Sequence, residues 1–196
     1  GSQEMRVQKE LTLFTHTAMN RLYGESFIVY NPEFQELKIH ESYTRQKDGN
    51  IVKTPENAFV EVLPSAAADA PAYNGLKEMV VVHTGLELGA TIYLDYSVIT
   101  RPGYLPELDV CEQIEELSPI REYVLSVSVP ENKPLHYELL NGKAVPVVKT
   151  AGGVKTVTWA LKNMQPRPSM LAVSLPAGNV QAIVASTYAS KADALK

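Results

Sequence analysis

The sequence predicts an all-β fold, an antiparallel β-sandwich-like domain followed by a short C-terminal helical tail. Three observations carry that expectation. Apolar and polar residues alternate with period two in several stretches. The clearest is 85–98, where Ala90, Ile92, Leu94, Tyr96 and Val98 interleave with Thr91, Tyr93, Asp95 and Ser97, as in a strand with one buried face. Clusters of glycine, asparagine, aspartate and proline separate such stretches at intervals of roughly ten residues, the spacing of serial antiparallel strands. At 187–196 the composition turns alanine-rich, with Ser190 and Asp193 spaced as a helix-capping pair.

In chain order, residues 1–9 read as a tag remnant, Gly1-Ser2, and an N-terminal arm; the sandwich-like domain is expected over 10–185. Residues 10–17 are threonine-rich and half-alternating, as in an edge strand. Strands are expected at 25–30 and 35–43. In the second, Leu37, Ile39 and Tyr43 should share one face, and Glu36, Lys38, His40 and Ser42 the other. Asp48-Gly49-Asn50 signals a turn because glycine and asparagine tolerate positive φ, and 51–53 returns briefly before Pro55. Residues 58–63 form a short apolar strand. The alanine-rich segment 65–73, interrupted by Pro71, reads as a loop or short helix. The apolar run 77–83 suits a strand buried on both faces, a candidate neighbour of 85–98.

After Arg101-Pro102-Gly103 the chain is loop-like to Asp109, and 111–117 resumes an extended path. Residues 121–130 alternate again, with Tyr123, Leu125, Val127 and Val129 against Glu122, Ser126 and Ser128. Further strands are expected at 135–140, 145–150 and 154–161, separated by Asn141-Gly142 and Gly152-Gly153, with Val157, Trp159 and Leu161 on one face. Residues 162–169 cross the surface, 170–175 and 180–184 supply two last strands, and 186–196 begins a linker or helix.

Composition narrows the partners. Eighteen basic against 22 acidic residues give a net charge of -4. No basic cluster is placed to follow a phosphate backbone, so nucleic acid is not an expected partner. No apolar run is long enough for a membrane helix. The single cysteine, Cys111, excludes an intrachain disulfide and a cysteine-rich metal site.

Residue chemistry alone outlines no active site. A thiol nucleophile needs a base nearby, and no spacing relates His16, His40, His83 or His136 to Cys111, which is read as a structural cysteine. The same histidines lack the short spacings that preorganise metal ligands. Glu87, Asp95, Asp109, Glu115 and Glu116 form no calcium-loop motif and read as surface charge. Gly152-Gly153 reads as a hairpin turn with no helix behind it to cradle phosphate. The ten tyrosines are a surplus. Of these, Tyr73, Tyr93 and Tyr104 are the candidate binding surface, since exposed aromatic rings stack on sugars or receive peptides; as strand residues they are equally at home edging a core.

The order of segments resembles a known family: the β-rich domain of unknown function found immediately N-terminal to transglutaminase-like domains in exported proteins of Bacteroidetes and other Gram-negative bacteria. The matching residues are Phe27-Ile28-Val29-Tyr30-Asn31, then Leu37-Lys38-Ile39-His40, the Asp48-Gly49 turn and Ala72-Tyr73-Asn74-Gly75-Leu76. The most specific match is Gly85-Leu86-Glu87-Leu88-Gly89 leading into the strand that ends Leu94-Asp95-Tyr96. Pro119-Ile120-Arg121 leading to Val127-Ser128-Val129-Pro130 adds a restart of the sandwich after a proline. The resemblance covers most of 21–161.

It implies a non-catalytic accessory domain without cofactor or metal. Its partner would be a C-terminal transglutaminase-like, cysteine-peptidase-like domain of the same polypeptide, which it positions or supplies with substrate. The Cys-His-Asp triad would belong to that downstream domain, and Cys111 matches none of it. The implied location is periplasmic or cell-surface, with a leader removed ahead of Gly1. The alternative is a carbohydrate- or peptide-binding sandwich using the tyrosine surface.

Overall fold

The computed structural model describes residues 1–64, 75–114, 118–166 and 180–189. The fold is all-β, and every paired strand is antiparallel. The chain divides into two compact units, Gly1–Leu105 and Pro106–Lys196. The span 10–185 read as one domain therefore crosses the boundary between them.

The first unit contains β1 (Gln3–Thr12), β2 (Glu25–Tyr30), β3 (Gln35–Arg45), β4 (Ile51–Lys53), β5 (Phe59–Val62), β6 (Lys77–Val82) and β7 (Thr91–Thr100). They form two sheets, ordered β1-β7-β3-β4 and β2-β6-β5. Alternation places Leu94 and Val98 of β7 against Ile28 and Tyr30 of β2 and Val81 of β6, so two inner faces close one core. Burying each large aliphatic side chain there contributes about 1.5–3 kcal/mol.

The structure changes several expectations for this unit. Residues 3–9, set apart as an arm, are the first seven positions of β1, paired along β7 from Gln3↔Thr100. That edge strand ends at Thr12, not Thr17. Strand β6 is central in its own sheet and pairs with β2 and β5. It is not a neighbour of β7, because the turn over 83–90 carries the chain from one sheet to the other.

The faces of β3 also differ from simple alternation. Ile39 lies opposite Tyr96 but Glu41 lies opposite Asp95, so an extra residue, His40, is accommodated in a β-bulge. One extra residue inverts every later side chain. Leu37 and Ile39 pack inward, whereas Tyr43 turns outward, opposite Tyr93.

The second unit contains β8 (Asp109–Gln113), β9 (Ile120–Pro130), β10 (His136–Leu140), β11 (Val147–Ala151), β12 (Val154–Met164) and β13 (Ala182–Ser186). Its sheets are ordered β10-β13-β8 and β11-β12-β9. Val157, Trp159 and Leu161 share the inner face of β12, as their spacing predicts, and pack with Val127, Val129, Ile114 and Ile183. Trp159 meets the edge of Tyr137 at 5.6 Å between ring centroids. Gly152 and Gly153, at φ 59° and 77°, make the two-residue turn joining β11 to β12.

Ser186 closes β13, and Thr187 remains tied to the fold. Its N–H donates to the Leu108 carbonyl (3.0 Å), and its Oγ1 accepts the Leu108 N–H (2.8 Å). The segment 65–73, the strand expected at 170–175, the carboxylates Glu115 and Glu116 and the helix-capping pair of the tail lie outside the described residues. Among the described residues no helix is long and apolar enough to cross a membrane.

Candidate functional site

Strand β7 organises the polar chemistry of the first unit. Its alternation suggests one buried face, but it lies between β1 and β3, and its polar face is covered as well: Asp95 is 4% exposed and Ser97 fully buried. Buried polar groups need partners, and the flanking strands supply them. The Arg6 guanidinium donates from Nε to Asp95 Oδ1 (3.0 Å) and from Nη2 to Oδ2 (2.8 Å); Gln8 Nε2 adds a third bond at 3.2 Å. The bond from Arg6, ahead of the opposing effect of burial, holds the Asp95 carboxyl below its ordinary range.

Two residues along, Ser97 Oγ donates to Glu4 Oε1 (2.7 Å) and lies 2.7 Å from His40 Nε2. This joins a serine, a histidine and a carboxylate in an order opposite to that of a nucleophilic triad. There the serine proton goes to the histidine and the histidine is oriented by the acid. Here the Ser97 proton goes to the acid, leaving His40 to donate, and the hydroxyl is closed to solvent. The arrangement ties β1, β7 and β3 together and does not activate Ser97.

A second serine–histidine contact lies in the inter-sheet region of the same unit. Ser26 Oγ is 2.7 Å from His83 Nε2. Both residues line a cleft of about 240 Å³ together with Leu11, Leu22, Ile92 and Lys9. Burial, with the Lys9 ammonium second, pushes His83 down to about 4, so its ring is neutral at pH 7. Its Nδ1 is buried without a partner among the described residues. The acid that would orient a catalytic imidazole is therefore missing from this pair.

The candidate tyrosines do not converge. Tyr73 lies outside the described residues. Tyr93 stacks on Tyr43 (4.9 Å between centroids, 18° between planes), while Tyr104, half exposed at 50%, stacks on Phe34 (4.8 Å, 19°). Phe34 precedes Gln35, which pairs with Thr100 at the far end of β7. Seven residues of strand separate Thr100 from Tyr93, roughly 23 Å at about 3.3 Å per residue. Tyr93 and Tyr104 thus belong to two separate aromatic pairs. Reading the sequence missed Tyr43 and Phe34 as their partners, since the bulge that turns Tyr43 outward leaves no mark in the alternation.

The other sequence candidates are dispersed. Cys111 is exposed on the edge strand β8, opposite Val184 of β13. His16, His40 and His136 are exposed, and among the described residues no three of histidine, cysteine, aspartate and glutamate are grouped to hold a metal ion. Glu87, the acid of the Gly85-to-Gly89 motif, has a structural role: its Oε1 accepts the Lys47 N–H at 2.7 Å. Gln46 Nε2 donates to the Gly85 carbonyl (3.1 Å), and the Gly89 N–H donates to Leu13 (2.7 Å). The motif clamps the entry to β7 against the turn after β3 and the end of β1.

Comparison with known proteins adds context. The profile of a family described as a domain of unknown function with solved structure, DUF3857, matches residues 1–168. A crystal structure of a "putative protease" from Parabacteroides distasonis is 61% identical and superposes with a TM-score of 0.95, over 100% of this chain and 39% of that one. The chain thus spans well under half the length of that relative. No curated protein matches it.

Proposed function

Because the chain belongs to the DUF3857 family of domains of unknown function, we propose that it is a non-catalytic N-terminal module of a longer exported, periplasmic or cell-surface polypeptide. In this reading it positions a following transglutaminase-like, cysteine-peptidase-like domain or presents substrate to it. The observation that carries the reading is the match of the whole chain, at 61% identity, to 39% of a protein described as a "putative protease". On this reading the matched segment is one module of such a protein, and the bonding of its polar side chains supports a scaffolding role. Its buried serines, Ser97 and the partly buried Ser26, are hydrogen-bonded within the sandwich and are not activated. Its specific motif clamps a turn.

The test compares peptide hydrolysis and glutamine–lysine cross-linking by three samples: the longer polypeptide, its following domain alone, and that domain with residues 1–196 added. Turnover is expected from the longer polypeptide, reduced turnover from the following domain alone and none from residues 1–196. Turnover by residues 1–196, or undiminished activity of the following domain without them, overturns the reading.

A further inference from the structure

The two sheets of the first unit differ on their outer sides. The outer face of β1-β7-β3 carries Glu4, Arg6, Gln8, Glu10, Lys38 and Glu41, as a solvated face of an antiparallel sheet does. The outer face of β2-β6-β5 is apolar apart from Glu78 within it and Glu25 at the end of β2, opposite Val82. Val81 is fully buried, and its register partners Ser26 and Phe59 turn inward with it. The alternate positions therefore point out. Phe27, Val80 and Val60 form one row across the three strands, and Val29, Glu78 and Val62 form the next. Phe27 is 58% exposed, Val29 48%, Val60 44% and Val62 38%. Exposed apolar side chains scattered singly are ordinary; a contiguous face of them marks a contact surface.

We propose that this face, with Phe27, Val29, Val60, Val62 and Val80 around Glu78, docks a following domain of the same longer polypeptide. The docking surface on that domain is apolar, with a basic residue opposite Glu78. Two observations select this occupant. A relative 61% identical over the whole chain extends far beyond the matched 39%, so additional polypeptide is at hand to cover the face. Glu78 lies on the central strand between Val29 and Val62, without an ion-pair partner among the described residues. A second copy packed about a twofold axis through this face would bring two Glu78 carboxylates together as the face loses water, which is unfavourable. A partner with a lysine or arginine there satisfies the carboxylate.

The inference rests on the modular reading above, and its test is separate from the activity assay. In a Cys111→Ser background, Val60→Cys is labelled with a maleimide in residues 1–196 and in the longer polypeptide, with circular dichroism confirming an unchanged fold. The rate is read from the residue-60 peptide by mass spectrometry, so that thiols of the following domain do not contribute. Labelling is expected to be at least tenfold slower in the longer polypeptide. Adding Glu78→Lys there should restore most of the faster rate. Equal rates in the two samples overturn the docking surface. So does labelling of residues 1–196 that slows with rising concentration, which would identify a second copy as the occupant. If labelling slows but the following domain is equally active without residues 1–196, the surface stands and the positioning role falls; equal labelling with dependent activity gives the reverse.

Discussion

Arg6 of β1 grips Asp95 of β7 with two hydrogen bonds, at 3.0 and 2.8 Å, across the first pair of strands in the sheet. The guanidinium is half exposed while the carboxylate is almost fully covered, at 52% and 5% side-chain exposure. Side chains of the edge strand β1 thus satisfy a covered charge on the outer face of the interior strand β7.

Asp95→Asn is expected to destabilise the first unit by about 1–3 kcal/mol, the range for disturbing a buried hydrogen-bonded group. Arg6→Ala should lower the urea midpoint further than Gln8→Ala, because Arg6 makes two of the three bonds to Asp95. The folded carboxyl lies below its ordinary range. Its stabilisation is therefore present above the unfolded value near 3.9 and is lost as pH falls through the lower folded value. The acid limb of the urea midpoint below about pH 4 should be shallower in Asp95→Asn than in the parent.

His83 sets a second pH window. Its folded value of about 4 lies below the ordinary 6.5, so between these values the unfolded chain binds more protons. Stability from the neutral ring is complete above about pH 6.5 and is lost as pH falls toward 4. Urea midpoints measured at pH 7 and pH 4.5 should differ more in the parent than in His83→Gln. An equal drop in both would remove His83 as the cause.

Gly85 is restricted by conformation and by space. Its φ is +71°, and an added Cβ would lie 2.8 Å from Val52 Cγ2 and 2.9 Å from Val52 Cβ. Gly85→Ala should cost about 2–4 kcal/mol, combining left-handed backbone strain with overpacking. Gly49, at φ +90° with nothing within 4 Å of an added Cβ, supplies the comparison: Gly49→Ala should cost only about 1–2 kcal/mol. Equilibrium unfolding of both variants gives the difference.

The Tyr43–Tyr93 stack should appear in a double-mutant cycle with alanine as a coupling of about 0.5–1.5 kcal/mol. Tyr104 paired with Tyr93 in the same cycle should give none, since the two rings stack on different partners. Coupling between Tyr93 and Tyr104 would contradict their separation along β7.

Much of the secondary structure was legible in the sequence because strand period and turn chemistry are local. The alternations at 121–130 and 154–161, the Gly152-Gly153 turn and the inward faces of Val157, Trp159 and Leu161 follow from the period of a pleated strand and from the positive φ that glycine permits. The Gly85-to-Gly89 motif was also visible, and it pointed to a family before its physical role could be seen. Glu87 bonds to the backbone of Lys47, forty residues earlier, and no local pattern records that distance.

What the sequence determined by itself is the all-β class, the inner faces of its regular strands and the lack of any local spacing that assembles a catalytic or metal site. Tertiary structure alone decided which strands are neighbours, that the polar face of β7 is covered, that Tyr43 turns outward after the bulge at His40 and that the outer face of β2-β6-β5 is left apolar. The physical reason is the range of the interactions. Side-chain alternation depends on successive residues, whereas burial depends on which strands, far apart in the chain, hydrogen-bond on either side.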